Sequence, residues 1–183
     1  DEQTQQITRA ETLIQKYMDE EFTRAAAAID ELPGIAKISA QQIVAEIGTD
    51  MGRFPSADHL CSWAGICPGN NESAGKRKSG KTNKGNRILK STLTQCAMVA
   101  VKNKDTFFYA QYQRLLVRRG KKKAVIAVAH SMLIAIYHVL SGSSFNDLGA
   151  DYYNQFNTDK KINSYLKKLK SLGWEPSSPA AIC

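Results

Sequence analysis

The sequence predicts a mainly α protein in which a long N-terminal helix precedes a compact helical domain. Three observations carry this. Apolar residues in the first 32 positions recur at steps of three and four, the spacing of one helix face. The run from Lys121 to Leu140 is apolar nearly all round, as in a helix at the centre of a fold. Between them, Pro, Gly and Ser punctuate segments of helical period, and no stretch shows the convincing alternation that a half-buried strand requires.

The chain has 183 residues, 43% of them hydrophobic and 23% charged, a globular composition that makes two large independent domains improbable. The best apolar stretch, Ala124 to Leu140, is interrupted by His130, Ser131 and His138, so no membrane span is expected. A polar, acidic start (DEQTQQ) gives secretion no support, so no signal peptide is expected, and a cytoplasmic protein with reduced thiols at Cys61, Cys67, Cys96 and Cys183 is expected. A first residue other than Met suggests a piece of a longer protein. The formal net charge of +8 raises the expectation of a polyanionic partner.

In residues 1–31 the stripe of Ile7, Ala10, Ile14, Met18, Phe22, Ala25 and Ile29, continued by Leu32, predicts one long helix that could pair as a coiled coil. Residues 1–32 hold eight acidic against three basic side chains, which leaves +13 on the remainder. Residues 32–150 are expected to form the compact domain. It opens with LPGIAKISAQQIVAEIG, where Pro33 and Gly34 break the helix and Ser39 is placed to cap the next, containing Ala40, Ile43, Val44 and Ile47. The segment resembles a helix-hairpin-helix motif, in which a Gly-apolar-Gly turn offers backbone N–H groups to a phosphate, here with Gly34 and Lys37 in position and Ala36 where the second Gly would stand.

RFPSADHLCSWAGICPG predicts a short helix capped by Ser56, packing through Leu60 and Trp63 and stopped by Gly65 and Pro68. A helix from Arg87 should turn Ile88, Leu89, Leu93, Cys96, Ala97 and Ala100 to the core. Another from about Asp105 should bury Phe108, Tyr112, Leu115 and Leu116 and end before Gly120. His130 and His138 on the apolar run are expected to be core histidines satisfied by neighbours. Residues 151–183 are expected to add a basic surface helix and the loose tail PSSPAAIC.

Residues 69–86, GNNESAGKRKSGKTNKGN, are the most unusual part of the chain and the place where chemistry is expected. From Lys76 to Lys90 there are seven basic side chains (Lys76, Arg77, Lys78, Lys81, Lys84, Arg87, Lys90) and no acidic one, a density that repels itself unless anions are near. Gly75, Gly80 and Gly85 with neighbouring hydroxyls and amides suit a phosphate cradle. GKRKSGKT formally matches a nucleotide-binding P-loop, but no buried strand precedes it, so nucleotide hydrolysis is not expected. His59, Cys61 and Cys67 lack both a close Cys pair and a fourth ligand, so no metal site is assigned.

Taken in order, LPGIAKISAQQIVAEIG, RFPSADHLCSWAGICPG, ESAGKRKSGKTNKGNRILKSTLTQCA and FFYAQYQRLLVRRGKKKAVIAVAHSMLIAIYHVL resemble the C-terminal transposase domain of the insertion-sequence one-ten family. These are the DEDD transposases grouped with bridge-RNA-guided serine recombinases, and the resemblance covers about residues 28–148. It implies that the N-terminal helix is the family's linking coiled coil, and that the acidic Mg site lies in an N-terminal domain outside this sequence, with no cofactor held here. It implies a serine nucleophile in a Ser-small-Gly pattern, matched by Ser73, Ala74 and Gly75, with Ser79 as second choice; Lys84, Gly85, Asn86 and Leu89 match the family's downstream pattern. DNA contacts are then expected from Gly34, Lys37, Lys76, Arg77, Lys78, Lys81, Lys84, Asn86 and Arg87. DNA, a guide RNA and further copies of the chain are the implied partners. The rival is a non-catalytic helix-hairpin-helix module binding DNA or RNA. A helix-hairpin-helix glycosylase, which would need Asp50 or Asp58 as its catalytic acid, ranks lower.

Overall fold

The computed structural model describes residues 2–17, 19–68, 71–154 and 158–174, giving the backbone alone at 15, 17, 71–73, 76–79, 154 and 158–161; Met18, Cys183 and the tail from 175 lie outside the described residues. The fold is mainly α. Its helices are α1 (Glu2–Tyr17), α2 (Glu20–Asp30), α3 (Lys37–Ile47), α4 (Ala57–Trp63), α5 (Arg87–Ala100), α6 (Phe107–Arg119), α7 (Lys121–Leu140) and α8 (Thr158–Ser171). Short 3-10 turns occupy Met51–Arg53 and Tyr152–Asn154, and two strands, β1 (Asn71–Ser73) and β2 (Lys76–Ser79), lie between α4 and α5.

The N-terminal stripe comes as two helices. Asp19 sits in an extended conformation and its carboxylate accepts from the Phe22 N–H at 2.7 Å, so an N-cap falls inside the apolar period. Every described side chain of α1 is exposed, whereas α2 buries Ala26 and Ile29. The third helix also differs from expectation: it starts at Lys37, with Ala36 as an N-cap that makes no side-chain hydrogen bond. Burial of Ile35 and Ala40 fixes where the chain enters the core, which places Ser39 in the first turn and not at the cap.

The central α7 packs on α2, α4, α5 and α6, and α3 packs on α2 and α5. Leu60, Ile66, Leu89, Leu93, Met132, Leu133 and Ile136 are among the fully buried side chains, each worth about 1.5–3 kcal/mol of transfer from water. By length and composition α7 could cross a membrane, yet it buries Ala124, Val125, Val128, Ala129, Met132, Leu133 and Ile136 inside the helical core. On α5 the buried face is Leu89, Thr92, Leu93, Cys96, Ala97 and Ala100, while Ile88, expected inside, is half exposed, because it sits one position off that face. Leu115, Leu116 and Tyr112 are only half-buried, since α6 is an outer helix resting chiefly on α7.

Two antiparallel helix pairings set the orientation of the basic segment. Along α3 and α5, Glu46 meets Asn86, Gln42 meets Thr92, and Gly34 faces Cys96 and Ala100. Along α4 and α7, the Tyr137 hydroxyl donates to the Phe54 carbonyl at 3.2 Å, and the Cys61 thiol lies 3.9 Å from the His130 carbonyl.

Candidate nucleic-acid interface on a basic hairpin

The segment expected to be an irregular loop contains an antiparallel hairpin. Ser73 pairs with Lys76, Glu72 with Arg77 and Asn71 with Ser79, with an irregularity between Asn71 and Glu72. The two turn residues have positive φ, 51° at Ala74 and 73° at Gly75, the combination that a two-residue turn needs to match the right-handed twist of its strands. Gly75 adopts it freely. Ala74 is the non-glycine residue that does so among the described residues, at the cost of a Cβ close to its own carbonyl. Ser73 therefore ends β1 immediately before the turn, and Lys76, Arg77 and Lys78 lie just past it on β2. The same pairing disposes of the P-loop match: Lys76–Ser79 is a strand, and no helix begins until Arg87.

The hairpin rises from a tightly fitted base. Pro68 bridges Thr82, and the Asn83 N–H donates to the Cys67 carbonyl at 3.4 Å. Below that, Gly65 and Gly85 press backbone to backbone: a Cβ on Gly85 would lie 2.4 Å from the Gly65 nitrogen, and one on Gly65 would lie 2.8 Å from the Gly85 nitrogen. The Lys90 ammonium donates to the Gly65 carbonyl at 2.9 Å and to the Thr82 hydroxyl, tying the end of α4, the hairpin exit and α5 together. In the sequence Lys90 stands out only as one more positive charge. Its distinguishing signal is position, one turn into α5, where its stem can reach back past the helix start.

The residues expected to meet DNA fall into two groups. Lys81, Lys84 and Arg87 are exposed between the hairpin and the start of α5, and Lys76, Arg77 and Lys78 occupy β2, their side chains lying outside the described residues as does that of Ser73. Asn86 belongs to the scaffold of this group. Its side-chain oxygen accepts from the Leu89 N–H at 3.0 Å as the α5 N-cap, and its amide nitrogen donates to Glu46. Gly34 and Lys37 are elsewhere, at the opposite end of α5, about 15–20 Å along the helix axis from Arg87. The φ of Gly34 is +85°, and a Cβ there would meet the Cys96 carbonyl at 2.5 Å, so close packing on α5 accounts for the glycine. Lys37 is exposed in the first turn of α3.

Other candidates have structural roles. The Asp50 carboxylate accepts from the Gly52 N–H at 2.8 Å, and Ser56 caps α4 while hydrogen bonding His59 Nδ1 at 2.8 Å. Among the described residues no group of three His, Cys, Asp or Glu could hold a metal ion. Burial, with Cys67 and Asp58 nearby, pushes the Cys61 thiol up to about 12, so it stays protonated at neutral pH. His130 is held below its ordinary value by burial, partly opposed by Asp58, while His138 is exposed.

A helical scaffold presenting a cation-rich hairpin with a serine beside its tip is a candidate nucleic-acid interface. Residues 26–113 match the model of the Transposase IS116/IS110/IS902 family. The chain is also similar to the pilin gene-inverting protein of Moraxella bovis, 28% identical over 123 residues, which cover 66% of this chain and 38% of the relative. The pilin gene-inverting protein of Moraxella lacunata matches with the same identity and coverage. The matched segment thus spans less than half the length of either relative.

Proposed function

We propose that the chain is the part of a DNA transposase or site-specific recombinase that supplies a serine nucleophile, Ser73, for strand cleavage and rejoining, with the basic hairpin as the cradle for the scissile phosphate. The observation that carries this reading is the coincidence, on one two-residue turn, of a serine at the end of β1 with three consecutive cations on the strand that leaves it. In the step proposed, the Ser73 hydroxyl oxygen bonds to phosphorus while one bridging P–O bond breaks. The serine proton is lost and the departing deoxyribose oxygen gains one, so the phosphodiester linkage is exchanged and its energy kept for rejoining. Lys76, Arg77 and Lys78 stabilise the charge on the non-bridging oxygens, and Lys81, Lys84 and Arg87 hold the flanking strand. A divalent metal held by an acidic domain would supply activation of the attacking or leaving oxygen; this chain binds, orients and attacks.

The inversion named in the Moraxella relatives is the kind of reaction this chemistry serves, since a covalent intermediate lets strands exchange without a high-energy cofactor. Gly34 and Lys37, at the far end of α5, serve in this reading as a separate backbone contact to DNA or to a guide RNA. The stripe on α1, with Ile7 and Ile14 exposed, would pair with a second copy, as a reaction that cuts several strands requires. The test uses the full-length protein with magnesium and end-labelled donor DNA, with denaturing electrophoresis as the readout. A covalent protein–DNA adduct in wild type that disappears in Ser73→Ala and persists in Ser79→Ala is the expected result. Loss only in Ser79→Ala moves the nucleophile to Ser79, at the far end of β2. Cleavage with no adduct in wild type overturns the serine mechanism, and the rival reading, a non-catalytic nucleic-acid-binding module, then requires binding without cleavage.

A further inference from the structure

A second cationic surface lies outside both the hairpin and the turn at Gly34. From Thr106 to Asn146 the sequence contains no acidic residue, and six basic ones. Five of these, Arg118, Arg119, Lys121, Lys122 and Lys123, surround Gly120 at the corner between α6 and α7, and all five are exposed. Gly120 has a φ of +76° with nothing within 4 Å of where a Cβ would be, so the corner is a tight turn facing open space.

Folding alone does not favour this arrangement. Arg118 and Arg119 at the C-terminus of α6 suit the negative end of its dipole. Lys121, Lys122 and Lys123 do not suit theirs: they fill the first turn of α7, at its positive end, where no acidic residue balances them and Gly120 offers no side-chain cap. Three ammonium groups beside a row of helix N–H donors, with two guanidinium groups preceding them, make an anion-attracting corner whose charges are stabilised by an external polyanion.

Its place in the fold supplies the second observation. Because Phe54 meets Tyr137 and Cys61 meets His130, α4 runs toward the N-terminal half of α7, and Gly65, the foot of the hairpin, lies further along in that direction. Lys123 stands about 10 Å along α7 from His130, on the same side of it. The Gln111 amide donates to the Ser131 hydroxyl at 2.8 Å, which aligns α6 antiparallel to α7 and sends its C-terminal Arg118 and Arg119 to that end too. The hairpin base, the start of α5 and the α6–α7 corner therefore share one end of the domain, opposite Gly34 and Lys37.

We infer that the α6–α7 corner is a second binding surface for the DNA phosphate backbone, extending the track of the hairpin, so that one duplex lies across both. The inference rests on the nucleic-acid reading of the hairpin, and the experiment separates the two. Binding of the full-length protein to a fluorescein-labelled duplex is monitored by anisotropy from 50 to 400 mM salt (about eight-fold in ion concentration, enough to define the slope). The corner variant is Arg118→Gln with Lys122→Gln. A control removes equal charge from the exposed Lys102 and Lys104, past the far end of α5, as Lys102→Gln with Lys104→Gln. A hairpin variant carries Lys76→Gln with Lys78→Gln, and circular dichroism verifies that each folds. The expected result is at least a ten-fold weaker affinity at 150 mM salt for the corner variant, and a salt slope lower by up to about two, one for each phosphate no longer neutralised, with the control unchanged. A corner variant that binds like wild type, or a control that weakens as much, overturns the inference while a weakened hairpin variant keeps the nucleic-acid reading. Salt-insensitive wild-type binding that no variant alters overturns both.

Discussion

Single glycines decide how closely the helices and the hairpin can approach. At Gly85 an added Cβ would stand 2.4 Å from the Gly65 nitrogen and 2.5 Å from the Ala64 carbonyl carbon, both backbone atoms that no rotamer change can move. Gly85→Ala is expected to cost about 1–3 kcal/mol through overpacking. Gly34→Ala should cost more, since its Cβ meets α5 backbone at 2.5 and 2.6 Å and its φ of +85° adds about 1–2 kcal/mol for an L residue. Gly80, with open space around it and no positive φ, is the control: Gly80→Ala should stay within about 0.5 kcal/mol of wild type. Urea midpoints of the three variants test the ranking, and equal midpoints would refute the packing account. The sequence could not rank the glycines of the basic segment. Three glycines in a basic loop look alike on paper, and only the backbone facing Gly85 distinguishes it from Gly75 and Gly80.

At the scale of elements, the hairpin balances favourable strand pairing against a strained turn. A two-residue turn with both φ values positive prefers Asn-Gly or Gly-Gly, and here Ala74 holds the first position at 51°. Ala74→Gly relieves about 1 kcal/mol of that strain, although the unfolded chain gains freedom in partial offset. Ala74→Val should do the reverse, because a β-branched side chain is poorly tolerated at positive φ. Hydrogen exchange of the amides in 76–79 is the readout: protection should fall in Ala74→Val and hold or rise in Ala74→Gly, and no difference would show that the turn does not control the strands. The helices were legible in the sequence because a helical period repeats over three or more turns, as on α5, or because an apolar run is too long for a strand, as on α7. The hairpin was not, since strands of three and four residues rich in Lys, Asn and Ser carry no apolar alternation to betray them. The break at Asp19 was hidden for the opposite reason: the apolar stripe continues through it, and only the capping geometry reveals where one helix ends and the next begins.

For the whole molecule, the joint between α4 and α7 carries two ionisable groups that the fold holds neutral. Cys61 and His130 both belong to it, the thiol 3.9 Å from the His130 backbone carbonyl, and the same joint sets the hairpin foot relative to the basic end of α7. His130 titrates below its ordinary 6.5 because burial disfavours the imidazolium more than Asp58 favours it. Below pH 6.5 the unfolded chain therefore binds a proton that the native one refuses, and stability falls as pH drops. Cys61 titrates near 12 where a free thiol titrates near 9.0. Between those values the unfolded thiol has ionised while the native one has not, so the unfolded chain binds fewer protons and stability falls as pH rises. The expected profile is a plateau from about pH 6.5 to about pH 9 with a decline on either side. Urea midpoints across the pH range test it. Cys61→Ala should lower the plateau, as removal of a buried side chain does, yet shrink the alkaline decline, and His130→Gln should shrink the acid one. Declines of unchanged size in both variants would place the controlling groups elsewhere. Retained alkylation resistance at Cys61 up to the alkaline limb, lost only as the protein unfolds, would tie that decline to this joint.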